Sequence, residues 1–352
     1  MKNLTFNPTL RALLAASLTA LSWARAARAE PLLCVDGGEC GPLITQVKFQ
    51  GRDAYRFSDG KTAAVVVPSL GRVMSYGMAS GPNLLFNNKG AKFDAKNPVN
   101  WVNYGGDKTW PAPQNGWALW QKSGGWPPPR QWDGAPHAAQ VLTGGRLRMV
   151  SQVHPGLGGR VVRVFSMNAA GEFVIEQSIE KMSGGPLSLS IWSVAQINHP
   201  DAIFLRSNPA TPYKNGFHWI SDGDTKPFSI AQTRPEMVRA EPSKQGVYKI
   251  GVDAPVVALA SVTGNIAFVE KSARFPGDYP DGALGAGFPL EVYNNPSPAY
   301  VELELLGPLR TYFGSPGGKV VGTRWTQTVR WSLHKLQSPG DEEEIARLLN
   351  SS

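Results

Sequence analysis

Apolar and polar residues alternate with a period of two over much of the chain, the spacing of half-buried strands. Such runs begin at Thr62 ("TAAVVVPSL"), Arg146, Arg160, Glu172, Leu187 ("LSLSIWSVAQI"), Val256, Ile266, Pro289, Tyr300 ("YVELELLGP") and Thr328. Between them stand turn signals such as "SGG", "NNP", "SDGD" and "SPGG". Helical spacing occurs once, in "DEEEIARLLN", which predicts a helix with Asp341 as N-cap, Glu344 as capping-box partner and Ile345, Leu348 and Leu349 on one face. Many strands with almost no helix predict an all-β fold, a large antiparallel sandwich or barrel with one short C-terminal helix. No linker composition divides the chain, so a single domain is expected over residues 41–337, preceded by a loop at 30–40 and followed by a helical tail at 338–352.

The first 29 residues break the pattern. Lys2 and Arg11 precede the apolar run Ala12–Ala24, and two "ARA" small-residue patterns follow, at Ala24–Ala26 and Ala27–Ala29. This is the layout of a cleaved secretory signal peptide, too short for a membrane span. No later segment of the 352 residues carries the roughly 18 consecutive apolar residues of a membrane helix. Export to a bacterial periplasm is the expectation. Cleavage after Ala29 removes four cations and no acid, so the net charge falls from +8 to +4. Cations spread singly along a chain make a poor nucleic-acid surface, and no nucleic-acid partner is expected. Cys34 and Cys40 are the two cysteines; in an oxidising compartment they predict a disulfide closing a short loop, whereas a metal half-site would need a histidine nearby.

From Trp101 to Trp132 the periodicity fades. Six of the chain's eleven tryptophans fall there, with "YGGDKTWPAPQNGW" (Tyr104–Trp117) and "WPPPR" (Trp126–Arg130). A long ordered loop of this composition has two readings. It plugs the end of a sandwich, or it lines a cleft in which flat aromatic faces and interleaved polar groups suit a sugar ring. In the second reading Tyr104, Asp107, Lys108, Trp110, Gln114 and Trp126 are the candidate ligand contacts, Asp107 accepting from hydroxyls and Lys108 donating to them.

A strand starting at Tyr300 places Glu302 and Glu304 on one face and Val301, Leu303 and Leu305 on the other. Two such carboxylates are either solvated or, facing a cleft, candidates for a general base; Glu291 on the preceding strand is a third. The five histidines are scattered without metal-ligand spacing, so no metal or cofactor is expected. His137, just after the tryptophan-rich segment, is the one singled out for chemistry. "SDGD" (Asp222, Asp224) is a weak calcium signal, and no G-x-S-x-G elbow is present.

Three segments together carry a resemblance: "NYGGDKTWPAPQ" with "WPPP"; "LSIWSVAQINHP"; and "ARFPGDYPDG" with "EVYNN", "YVELELLGP" and "TVRWSL". In order and spacing they resemble the bacterial family designated DUF4380, over nearly the whole chain after the signal. The resemblance implies a galactose mutarotase-like β-supersandwich, a superfamily of aldose and hexose-phosphate epimerases and carbohydrate-active domains. It implies Glu304, with Glu302 next, as counterpart of the glutamate base, and loosely His137 as counterpart of an early histidine. The strand similar to the one bearing the epimerases' ring-oxygen acid carries Trp192, Ser193 and Gln196 and no histidine. Lys108 is the first candidate to replace that acid. The expectation is therefore carbohydrate binding, with Trp192 and Gln196 added to the contacts; epimerisation through Glu304 comes second, and a non-catalytic role in a periplasmic assembly third.

Overall fold

In the computed structural model, residues 44–94, 96, 101–122, 124–221, 229–285 and 287–351 are described. All of them fall in one compact unit. The signal segment, Cys34, Cys40, Asp222 and Asp224 lie outside the described residues.

Strands are numbered in chain order. One antiparallel sheet runs β1 (Ile44–Phe49), β2 (Arg52–Ser58), β3 (Thr62–Val67), β4 (Arg72–Met78), β5 (Gly106–Ala112), β10 (Leu187–Ile197), β19 (Ala299–Leu306), β18 (Leu290–Pro296), β15 (Tyr248–Val252) and β12 (His218–Trp219), with β20 (Arg310–Tyr312) also pairing with β10. The other runs β13 (Ile230–Arg234), β14 (Met237–Ala240), β11 (Ala202–Arg206), β16 (Val257–Thr263), β17 (Ile266–Ser272), β21 (Thr323–Lys335), β9 (Phe173–Lys181), β8 (Gly159–Met167), β7 (Arg146–Val150) and β6 (Ala138–Leu142). The all-β expectation holds, and each of the ten segments read from alternation is a strand.

Alternation also decides which side chains meet between the sheets. Val301, Leu303 and Leu305 of β19 point inward with Tyr76, Val292 and Ile250, against Phe165, Phe173, Phe268 and Trp331 of the second sheet. Phe173 sits centrally, 5.4 Å from the Phe57 ring and 5.8 Å from Trp331. A polar layer lies within the same space. Asp107 pairs with Arg163, and Thr109 donates to Gln177 at 2.5 Å, whose amide donates to Gln327 at 3.2 Å. Glu270 is fully buried there without an ion-pair partner among the described residues, the Trp331 side chain being its one donor.

The predicted helix is α1 (Glu342–Asn350), and Asp341 caps it by accepting from the Glu343 and Glu344 backbone N–H groups. The capping box is not closed. The Glu344 carboxylate instead accepts from Gln337 N at 3.1 Å, because the Asp341 N–H is taken by Ser338 O. Ile345, Ala346 and Leu349 are buried against Phe204, Val262 and Val269 on the outer side of the second sheet.

The segment read as an unbroken loop, 101–132, contains β5, a central strand with all seven residues buried. Pro111 is tolerated because β4 pairs with β5 only at Val73–Asp107, so the second half of β5 has an open edge on that side and needs no further donor there.

Candidate functional site

The side of the first sheet turned away from the core carries the chemistry. Register places Lys108 and Trp110 of β5, Trp192, Val194 and Gln196 of β10, Glu302 and Glu304 of β19, and Glu291 and Tyr293 of β18 on this one side. Lys249 of β15 joins them, because its neighbours Tyr248 and Ile250 face the core.

These groups form one row of paired charges. Lys108 Nζ lies 2.9 Å from Glu302 Oε1, which also accepts from Gln196 Nε2 at 2.8 Å. Glu304 Oε2 accepts from Trp192 Nε1 at 2.8 Å and lies 3.0 Å from Lys249 Nζ. Lys249 Nζ reaches Glu291 Oε2 at 2.7 Å. Each ammonium also stands over an indole, Lys108 at 4.7 Å from the Trp110 ring and Lys249 at 4.5 Å from Trp192. Burial pushes the Glu291 and Glu304 carboxyls up, Lys249 opposing in both cases. Burial alone would lower Lys249, but Glu291 and Glu304 together raise it, so it stays charged. Lys108 is lowered by burial, with Glu302 opposing.

The row is not saturated. Gln196 Oε1 is a buried acceptor with no hydrogen bond among the described residues, and the Glu291 and Glu304 carboxyls have only Lys249, Trp192 and each other as partners. Solvent reaches the row at Lys249, Tyr293 and, slightly, Glu302.

Over the β5 end stands the tryptophan cluster. Trp110 meets Trp192 edge-on at 5.3 Å and Trp117 at 5.9 Å, and Trp126 stacks on Trp117 at 6.3 Å. Asp133 holds the cluster, accepting from Arg72 at 2.5 Å, Trp101 Nε1 at 2.7 Å and Trp110 Nε1 at 2.9 Å. Trp110, Trp117, Trp120, Trp132 and Trp192 are buried, while Trp126 is 46% exposed. Most of the segment therefore packs as a cover, with Trp126 on its outer side.

Of the residues singled out from the sequence, Lys108, Trp110, Trp192, Gln196, Glu291, Glu302 and Glu304 are brought together. Asp107 is not with them: it faces the opposite side of β5, paired with Arg163, since neighbours on a strand alternate. Tyr104 packs in a satellite cluster with Ala54, Leu70 and Met74. Gln114 is exposed in a 3₁₀ turn. His137 is buried away from the row, its Nδ1 2.9 Å from Ala135 O, and burial pushes its pKa down to about 4, so it is neutral. Its charged surroundings are Arg163, Arg72 and Asp133 rather than the two glutamates. Lys249 and Asp133 were not singled out. Lys249 was legible in "VYKIGV", whose apolar positions 248, 250 and 252 leave it on the other face. The role of Asp133 as a shared acceptor depends on contacts remote in sequence, which no local pattern announces. Among the described residues no group of three or more His, Cys, Asp or Glu is placed to hold a metal ion, and no helix is long and apolar enough to cross a membrane.

No protein-family model and no curated relative matches the chain. Solved structures do. A candidate aldose 1-epimerase from Klebsiella pneumoniae matches at 12% identity and TM-score 0.52, covering 88% of each chain. A galactose mutarotase-like protein from Clostridium acetobutylicum matches at 11% identity and TM-score 0.50, over 83% of this chain and 98% of that one. A TPR-domain containing protein from Parabacteroides distasonis matches at 13% identity and TM-score 0.51, over 81% of this chain; the chain spans about half, 48%, of that protein. Likeness at these identities concerns the fold: the two sheets form a galactose mutarotase-like β-sandwich.

Proposed function

We propose that the chain is an exported, DUF4380-type protein that binds a carbohydrate at the charged row of the first sheet, beside Trp110 and Trp192. The observation that carries this reading is the set of sparsely supplied buried acceptors, Gln196 Oε1 and the Glu291 and Glu304 carboxyls, on three adjacent strands. Buried acceptors without donors cost free energy, and the hydroxyls of a polyol supply donors at this spacing of strands. Both lysines are already engaged by carboxylates, and a proton held by the raised Glu291–Glu304 pair serves the bond between them, so further donors must come from a ligand. The fold agrees with this class of ligand, and the layout of residues 1–29 supports export.

A second reading, epimerisation with Glu304 as base, is favoured by the upward push on its carboxyl, which burial produces. Against it, β10 presents Trp192, Val194 and Gln196 on this side and no histidine. A third role, in a periplasmic assembly, needs no ligand at the row. The test is a panel of aldoses and oligosaccharides scored by thermal shift on the full chain, with Glu304→Gln as comparison. Saturable stabilisation weakened by the substitution supports the reading; no stabilisation by any sugar leaves the assembly role.

A further inference from the structure

The same side of the first sheet continues past the row to a second recess. Tyr248, Ile250, Val252 and Ala254 face the core, which leaves Lys249 and Gly251 of β15, and Asp253 just past its end, on the other side. Lys249 belongs to the row, the Phe288 ring lies against Gly251 where any side chain would collide with it, and Asp253 lines a cavity of about 270 Å³. Arg274, Asp278 and Tyr279 form its other wall. Gly287 lets that wall close, since a Cβ there would collide with the Tyr279 carbonyl.

The polar groups of the recess are held in place. Arg274 Nη1 donates to Ala254 O at 2.7 Å and lies 3.5 Å from Asp253 Oδ1, with the guanidinium over the Tyr279 ring at 4.6 Å. Asn208 Nδ2 donates to Asp253 Oδ2 at 3.0 Å. Tyr279 is fixed in turn, its hydroxyl donating to Phe275 O at 3.0 Å. This leaves Nε and Nη2 of the Arg274 guanidinium without a hydrogen bond among the described residues and open to solvent, beside a second exposed group, the Asp278 carboxylate. A fixed donor fork and a free acceptor suit two neighbouring hydroxyls, one accepting and one donating. An anion would meet Asp253 and Asp278 as well as Arg274. The volume, just under the roughly 300 Å³ at which pockets for drug-sized ligands begin, suits a single ring.

We infer that this recess is a second carbohydrate subsite, taking a neutral sugar residue of an oligosaccharide whose other end lies at the row. The inference rests on the proposed sugar-binding role of the row. Lys249 and Asp253 are four residues apart on extended chain, about 13 Å, and the buried Phe288 ring stands between them, so the ligand must pass over the segment that covers it and span more than one ring.

Isothermal titration of the full chain with neutral gluco- and galacto-configured monosaccharides and their di-, tri- and tetrasaccharides tests it. Affinity is expected to rise at least tenfold from the monosaccharide to the tri- or tetrasaccharide. Asp278→Asn, an exposed substitution that leaves the core untouched, and Arg274→Gln are expected to remove most of that gain while leaving monosaccharide affinity unchanged; Glu304→Gln should weaken both. Monosaccharide binding with no gain on lengthening, or a gain that survives both substitutions, overturns the second subsite and leaves the row's role standing. Failure of every sugar to bind overturns both.

Discussion

Glu291 and Glu304 stand directly opposite each other across β18 and β19, and the Lys249 ammonium bridges them at 2.7 and 3.0 Å. Like charges in register destabilise a sheet, so the lysine is what makes this pairing tolerable. Lys249→Met should therefore cost about 3–5 kcal/mol, the scale of removing one partner of a buried ion pair. Adding Glu291→Gln should recover part of the loss by relieving the repulsion. Urea unfolding of the single and double variants measures both, and a Lys249→Met protein as stable as the parent would contradict the bridging role.

Glu270 presents the opposite case, a carboxyl between the sheets with no countercharge, only the Trp331 side chain beside it as a donor. Burial raises its pKa well above the ordinary 4.5, and the Asp107 charge adds to the effect. The folded state then holds this proton more tightly than the unfolded state. Its contribution to stability is complete below about pH 4.5 and is lost as pH rises toward the raised folded value, at up to about 1.4 kcal/mol per pH unit. Glu270→Gln cannot ionise. It should gain stability relative to the parent between pH 5 and pH 8, by urea unfolding at several pH values; a constant difference across that range would show that Glu270 titrates normally.

The legibility of this molecule in its sequence followed physical lines. Alternation reveals strands with one dry and one wetter face, and so the sequence itself sets Glu302 and Glu304 apart from Val301, Leu303 and Leu305. β5 breaks that pattern because both of its faces are buried and both carry charge, Lys108 paired with Glu302 on one and Asp107 with Arg163 on the other, leaving no wholly apolar side to alternate with. The same hidden alternation explains why Asp107 and Lys108 were read together although adjacent strand residues point apart. The Asp133 hub and the Lys249 bridge join positions far apart in the chain, and only the folded register brings them into contact.

The tryptophans divide by exposure. Trp110 is 3% exposed and donates to Asp133, so Trp110→Ala should cost about 3–5 kcal/mol by cavity formation and the lost bond. Trp126, 46% exposed and stacked on Trp117, should cost only about 1 kcal/mol, the scale of one aromatic pair. If Trp126 borders the ligand, Trp126→Ala should also weaken sugar binding about tenfold, followed by quenching of tryptophan fluorescence. Unchanged affinity in a folded Trp126→Ala protein would confine the ligand to the row beneath.

Catalysis is the last point at which geometry makes a prediction. Ring opening of an aldose needs a base at the anomeric hydroxyl and an acid at the ring oxygen, and general acid catalysis alone commonly contributes about 10²–10⁴ in rate. Glu304 has a base's environment, a buried carboxyl pushed up by burial. An acid is harder to find. His137 is neutral and remote, β10 offers Trp192, Val194 and Gln196, and Lys108 and Lys249 are both held by glutamates. Lys108 is the better placed of the two, because burial lowers its hold on a proton, with Glu302 opposing. Mutarotation of glucose and galactose should accordingly run at or near background by polarimetry or exchange NMR. Rapid interconversion abolished by Glu304→Gln would overturn that expectation, and its further loss in Lys108→Met at unchanged sugar affinity would identify Lys108 as the acid.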